Sequence, residues 1–189
     1  GSDVNISMRV ASGRYLMTPS GLSKGHLGLE DLVVIDDHGA VLEGRHKASS
    51  EYGMHLTIYQ KRPDVKAIVH AHPPYATAYA LSGKAPPDNA LPEVCVFVGG
   101  IALAEFAPPG TPMVGESIAP YLADHDAILL ANHGLVTMGS TLDEAYFRME
   151  TVEHYLKILT IARQVGGIQS LPEVEVARLA KIRRDLKHK

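Results

Sequence analysis

The sequence predicts an α/β fold, a single domain over residues 1–189 in which a mixed β-sheet is flanked by helices. Three observations carry this. Short apolar runs bounded by Gly, Pro, Asn and Asp recur along the chain and have strand character. Longer segments with apolar residues at helical spacing lie between them, each introduced by residues able to cap a helix. A chain of 189 residues with 46% hydrophobic and 21% charged side chains also buries one core without disulfide staples. No internal repeat and no linker divides it.

From the N-terminus, Val4–Val10, Tyr15–Thr18, Leu32–Ile35 and Val41–Leu42 read as strands. Ser12-Gly13 and Asp37-His38-Gly39 supply turn chemistry between them, so the segment is expected to be an antiparallel meander. Ser49-Ser50 can cap a helix from Glu51 to Arg62, which Pro63 stops. Val65–His72 alternates as a strand and ends at Pro73-Pro74. Pro74–Ser82 follows as a helix, with Gly83 placed where a left-handed residue closes it. Val94–Val98 and Ile101–Ala104 are expected strands, and Thr111-Pro112 opens a helix expected to reach Ala123 through Pro120. Asp126–Ala131 is a buried-strand run and Leu135–Met138 another. Thr141-Leu-Asp-Glu144 has the spacing of a capping box. Leu142, Ala145, Tyr146, Met149, Val152, Tyr155, Leu156 and Leu159 then recur at helical spacing up to Gly166-Gly167, and Ser170-Leu-Pro-Glu173 repeats the box for a last helix.

Charge and cysteine content exclude several classes of function. Eighteen basic and 21 acidic side chains leave a net charge of -3, which offers no broad electrostatic surface for nucleic acid or membrane. The basic stretch from Pro172 to Lys189 reads as a solvated helix face. The single cysteine, Cys95, cannot form an intrachain disulfide, and a reducing, cytoplasmic location fits it. The chain contains neither an apolar run of about 18 residues nor a basic-then-apolar leader, so no membrane span or secretory peptide is expected.

Ten histidines matter by their placement. In Val69-His70-Ala71-His72 two imidazoles stand two residues apart at a strand end, so they share a face and lie close enough to share one cation. Catalytic zinc sites take three protein ligands and keep one position open. The pair alone reads equally as two half-exposed strand-end histidines, so a third ligand decides the matter. Ile128-Leu-Leu-Ala-Asn132-His133-Gly134 offers one, because an apolar strand carries His133 to its end and the following glycine permits a tight turn. His26, His38, His46, His125 and His188 sit in polar or turn contexts, and His154 lies within the long helix. His55, four residues after Glu51 on a helix, reads as a packing or hydrogen-bonding residue. Glu51 itself follows Ser49-Ser50 at a helix start, where free amides and the helix dipole favour negative charge. Thr18-Pro-Ser20-Gly21 is a second polar loop of the same style.

Thr18-Pro-Ser-Gly21, Ser49-Ser-Glu51, His70-Ala-His-Pro-Pro74, Pro109-Gly-Thr111 and Asn132-His-Gly134, in this order and spacing, resemble the class II aldolase/adducin family, nearest its fuculose-1-phosphate aldolase-like branch. The resemblance runs from Asp3 to Pro172. It implies a three-layer arrangement with a central, largely antiparallel mixed β-sheet flanked by helices. It also implies an aldolase dependent on zinc or another divalent metal, cleaving a ketose 1-phosphate into dihydroxyacetone phosphate and an aldehyde through a metal-stabilised enediolate. The assembly implied is a homotetramer with active sites at subunit interfaces. Carried onto matching positions, His70, His72 and His133 hold the metal and Glu51 transfers the proton. Asn5, Ser20, Gly21, Ser49 and Ser50 hold the substrate phosphate. Two departures stand out. Val4 precedes Asn5 where the family usually has glycine, and neither Val94–Val98 nor the segment after Gln169 has a tyrosine to match those that assist proton transfer in the aldolase branch. Within the family the alternatives are a pentulose 5-phosphate 4-epimerase, which typically has aspartate in place of the glutamate, and a decarboxylase or dehydratase of related sugars. A non-catalytic, adducin-like binding module is expected to lack the metal ligands, which are all present here.

Overall fold

The computed structural model describes residues 4–187; residues 1–3 and 188–189, including Asp3 and His188, lie outside the described residues. Strands β1 (Asn5–Ala11), β2 (Arg14–Met17), β3 (Val33–Ile35) and β4 (Val41–Glu43) form the expected meander. They continue into β5 (Ala67–Ala71), β6 (Ala102–Ala104), β7 (Ala127–Leu130) and β8 (Gly134–Gly139). All eight make one sheet in the order β4-β3-β2-β1-β5-β8-β7-β6. Every neighbouring pair is antiparallel except β6 and β7, so the sheet is mixed and largely antiparallel, as expected.

Strand periodicity divides the apolar side chains between two faces. Ile68, Ile128, Leu130, Val136 and Met138 point to one side. There they pack with Met54, Leu56, Ile58 and Tyr59 of helix α1 (Tyr52–Lys61) and with Val114 and Ile118 of α3 (Pro112–Ile118). Ala67, Val69, Ala127, Leu129 and Leu135 point to the other side. They meet Ala76, Tyr79 and Ala80 of α2 (Pro74–Ser82) and the Ala145, Met149, Val152, Tyr155, Leu156 and Leu159 stripe of α4 (Leu142–Val165). Helices thus cover both faces of the sheet in three layers. Burying each Val, Leu or Ile in such a core contributes about 1.5–3 kcal/mol.

The ends of α2 and α4 are built as their sequences suggest. Pro74 opens α2, and Gly83 closes it in the left-handed conformation at φ 67°. The Thr141 hydroxyl accepts a hydrogen bond from the Glu144 amide at 3.1 Å, while the Glu144 carboxylate accepts from the Ser140 amide at 2.6 Å. Thr141→Ala should therefore lower stability by about 1 kcal/mol without altering the site, as thermal unfolding beside an activity assay would register. An unchanged melting temperature would show that the cap contributes nothing.

Three local expectations are corrected. Val94–Val98 is a π-helix, not a strand. Its buried residues are Val94, Cys95 and Val98, whereas a strand would alternate, so packing against α4 overrides the β-propensity of the run. The α3 helix stops at Ile118, and Ala119–Tyr121 continues as a 3-10 turn, because Pro120 supplies no amide proton and its ring opposes helical continuation. Ser170 does not cap the last helix, α5 (Glu173–Lys187); its hydroxyl donates to the Asn89 side chain at 3.2 Å. The basic C-terminal stretch is mostly exposed, but Arg183 turns inward and pairs at 2.6 Å with buried Asp126, which also takes Arg62 at 2.9 Å. No helix among the described residues is long and apolar enough to cross a membrane.

Candidate functional site

The site begins at the C-terminal end of β5, near the middle of the sheet. His70 has the strand parity of Ile68, so it faces the α1 side. It is paired with Asn5 of β1 and Val136 of β8 and is 1% exposed. Its Nδ1 lies 3.0 Å from the carbonyl oxygen of Leu135. A carbonyl only accepts, so Nδ1 carries the proton and Nε2 presents its lone pair. His72 follows just beyond the strand, before the Pro73-Pro74 turn. That turn is held from the α4 layer, where the Glu153 carboxylate accepts the amides of Tyr75 at 3.0 Å and Ala76 at 2.8 Å and so caps α2.

His133 arrives from the hairpin turn between β7 and β8. The left-handed residue of that turn is Asn132, at φ 57°, a conformation asparagine tolerates. Gly134 is needed for a different reason from the turn expected of it. A Cβ there would lie 2.6 Å from both the Ala71 carbonyl oxygen and Cδ2 of His72, so glycine lets the hairpin approach β5 closely enough for His133 to reach the pair.

The three rings meet edge to face, with centroids 5.1 Å apart for His70 and His72, 4.7 Å for His70 and His133, and 4.8 Å for His72 and His133. Nε2 of His70 and Nε2 of His72 are 3.2 Å apart, close to the roughly 3.3 Å separating two nitrogens bound tetrahedrally to one zinc ion. One ring nitrogen from each of the three lies within 4.8 Å of the other two. Burial, followed by the neighbouring rings of His133 and His72, pushes His70 well below the usual imidazole range. Burial and the His72 ring bring His133 down to about 4. These two rings are therefore neutral near pH 7 and bind a cation without first losing a proton. The cluster's three imidazole donors fit a divalent transition metal and could hold one.

Glu51 stands at the N-cap of α1 and is 7% exposed. Burial raises its carboxyl above the ordinary range, opposed by a hydrogen bond from the Gly110 amide. Its Oε2 is buried and has no hydrogen-bond partner among the described residues. Gly110 is left-handed at φ 74° and lies against Ser50, which gives the Pro109-Gly-Thr111 segment a physical role.

The two polar loops are joined by a bridge between Pro19 and Ala48 and by the Ser20 amide donating to the Lys47 carbonyl at 3.0 Å. The Ser49 hydroxyl accepts from the Glu51 amide at 3.3 Å, which fixes the start of α1. As a result a single cavity of about 150 Å³ is lined by Asn5, Ser20, Gly21, Ser49, Ser50, Glu51, His70, His72 and His133, together with Pro19 and Lys24. Every residue singled out from the sequence for the site reaches this cavity. Lys24 was missed. Its ammonium is fixed by the carbonyls of Pro19 at 2.8 Å and Leu22 at 3.0 Å, and burial lowers its pKa. It is the cavity's lysine, and its sole sequence signal was a cation four residues after Ser20.

Fold and site together define a class: an α/β protein whose sheet ends in three imidazoles able to hold a divalent ion beside a buried carboxylate and a polar cavity. Residues 1–160 match the Class II Aldolase and Adducin N-terminal domain, and the chain belongs to the class II aldolase/adducin family. It is 37% identical over 158 residues to an L-fuculose phosphate aldolase of Methanococcus vannielii, covering 84% of this chain and 84% of that protein. It is also 37% identical over 179 residues to a 3-oxo-tetronate 4-phosphate decarboxylase of Haemophilus influenzae, covering 93% of this chain and 84% of the relative. Among solved structures, an L-fuculose 1-phosphate aldolase superposes with a TM-score of 0.89 at 34% identity, covering 96% of this chain and 85% of that one. The chain is thus a fuculose-1-phosphate aldolase-like lyase of this family.

Proposed function

We propose that the chain is a zinc-dependent aldolase that cleaves a ketose 1-phosphate, fuculose-1-phosphate-like, into dihydroxyacetone phosphate and an aldehyde, acting in the cytoplasm as a homotetramer. The observation that carries this reading is the convergence of three imidazoles, a buried carboxylate and two polar loops on one cavity. His70, His72 and His133 hold the ion. When bound, zinc supplies Lewis-acid stabilisation of the negative charge that develops as the carbon–carbon bond beside the carbonyl breaks. Glu51 is the proton-transfer group at the carbon freed from that bond. Its burial favours the protonated form, which suits it to return a proton there and complete dihydroxyacetone phosphate, while the hydroxyl that becomes the aldehyde releases its proton to solvent, from which Glu51 is reprotonated.

Asn5, Ser20, Gly21, Ser49 and Ser50 bind the phosphate, with the Lys24 ammonium supplying positive charge that hydroxyls and amides lack. Their contacts are remote from the bond that breaks, so they act mainly on binding. Ser50→Ala and Lys24→Gln should each raise KM for a phosphorylated ketose about tenfold while changing kcat less. Equal cleavage of free and phosphorylated ketoses, or failure of inorganic phosphate to compete, would remove the phosphate assignment.

The similarity to the decarboxylase supports a second reading, in which the bond that breaks releases carbon dioxide from a phosphorylated 3-oxo sugar acid. The same ion and the same carboxylate serve that chemistry. Incubating the metal-loaded chain with both substrate classes and measuring dihydroxyacetone phosphate and carbon dioxide side by side separates the two. The proposal expects the first product from ketose 1-phosphates; carbon dioxide alone would replace it with the second reading.

A further inference from the structure

Four side chains form a line beneath the cavity. The Tyr59 hydroxyl is 2.8 Å from Ser7 Oγ, Ser7 Oγ is 2.6 Å from Nδ1 of His55, and Nε2 of His55 is 2.6 Å from Oδ1 of Asn5. All four are buried, His55 at 0% exposure. Asn5 is the one member that reaches the cavity.

The protons on this line can run in only one self-consistent direction. Tyr59, Ser7 and a neutral imidazole bring one proton each to the line. Tyr59 is its closed end, because among the described residues its hydroxyl has Ser7 as its hydrogen-bond partner. If Tyr59 donates to Ser7, Ser7 donates to Nδ1 of His55, and Nε2–H donates to Oδ1 of Asn5, then every proton has an acceptor. In the reverse order Asn5 would donate to Nε2, Nδ1–H to Ser7 and Ser7 to Tyr59, leaving a buried phenolic proton with nowhere to go, which is the costlier arrangement. Burial holds His55 down to about 3, so the ring is neutral throughout the physiological range.

We propose that His55 is a positioning residue of the anion site: held in its Nε2–H form by Ser7 and Tyr59, it takes the carbonyl oxygen of Asn5 and turns the Asn5 amide nitrogen into the cavity as a donor to the substrate phosphate. This rests on the sugar-phosphate reading of the cavity. A carboxamide presents a donor on one side and an acceptor on the other, and an oxygen turned toward phosphate would repel it. His55 therefore selects the sign of the contact from outside the cavity. The role absorbs Tyr59 and Ser7, which the proposed reaction does not otherwise use.

The test uses the full metal-loaded chain with nitrogen-15-labelled histidine, the His55 ring signals being assigned by their loss in His55→Gln. The ring should be protonated at Nε2, and Tyr59→Phe should turn this into a mixture of the two neutral forms. Titration with inorganic phosphate should show His55→Leu weakened about tenfold, as for one lost hydrogen bond to a charged group. His55→Gln, whose amide can still donate to Asn5, should stay within about threefold of the parent. If His55→Leu does not fold, the Tyr59→Phe ring spectrum and its phosphate titration stand in its place, with a weakening of about twofold or more expected. Phosphate binding by a parent whose ring is protonated at Nδ1 overturns the proposal alone, as does unchanged phosphate affinity in folded His55→Leu or in Tyr59→Phe. No phosphate binding by the parent overturns the sugar-phosphate reading, and this role of His55 with it.

Discussion

His133→Ala should bind its divalent ion at least about 100-fold more weakly, since losing even a supporting partner of a metal ligand costs roughly 10- to 100-fold, and should lose carbon–carbon cleavage with it. The parent should carry about one ion per subunit, as a three-ligand site with an open position does. His133 is the useful probe because it is half-buried in a hairpin turn rather than locked in the sheet as His70 is. Its removal takes a ligand without opening the core. His70→Ala and His72→Ala should lower occupancy as well, but His70→Ala also leaves the Leu135 carbonyl without its donor and so mixes metal loss with a fold defect. Metal analysis of the dialysed variants settles the matter. Full occupancy in folded His133→Ala would remove that residue from the site.

The histidines were legible because each is announced locally. A His-x-His pair on a strand fixes its own parity, and an apolar strand running into Asn-His-Gly marks a hairpin end; the convergence of the two needed only that β5 and β8 be neighbours. The fold class was legible for the same reason, since the meander and the capped helices are short-range patterns. What was not legible depends on contacts far apart in the chain. Val94–Val98 carries strand-like residues, and only its packing against α4 and α5 makes it helical. Gly134 has the local context of a turn residue, but its necessity comes from Ala71 and His72, some sixty positions earlier. Lys24 gained its place through two carbonyls of its own loop and through a bridge to Ala48 that no local pattern announces. The helical position of His55 suits either packing or hydrogen bonding; that it bonds, and which atoms it serves, depends on the register of β1 against β5.

Glu51→Gln should keep the ion and the fold while lowering turnover by roughly 100-fold or more, the scale of a lost general acid/base group. The same variant should be more stable than the parent at neutral pH. Burial raises the Glu51 carboxyl in the folded chain above its unfolded value. The stability associated with that group is therefore present below the unfolded pKa and lost as pH rises through the folded one. When ionised, the folded chain's Glu51 is a half-desolvated carboxylate whose Oε2 has no partner among the described residues, and a neutral amide relieves this. The gain in melting temperature should shrink as pH falls through the carboxyl's raised range. Thermal unfolding across that range, with turnover measured beside it, checks both halves. A variant that turned over at the parent rate would make Glu51 an ordinary first-turn residue, and one that lost stability at neutral pH would show that its carboxylate is held by partners rather than strained by burial.

The most direct measurement follows dihydroxyacetone phosphate and aldehyde released from a panel of ketose 1-phosphates by the metal-loaded chain, before chelation, after chelation and after zinc is restored. Equal amounts of the two products are expected from at least one member of the panel, with cleavage that stops on chelation and returns with zinc, and no such return in His133→Ala. Cleavage that continues undiminished in the chelated chain, or that survives in His133→Ala stripped of its ion, would contradict it.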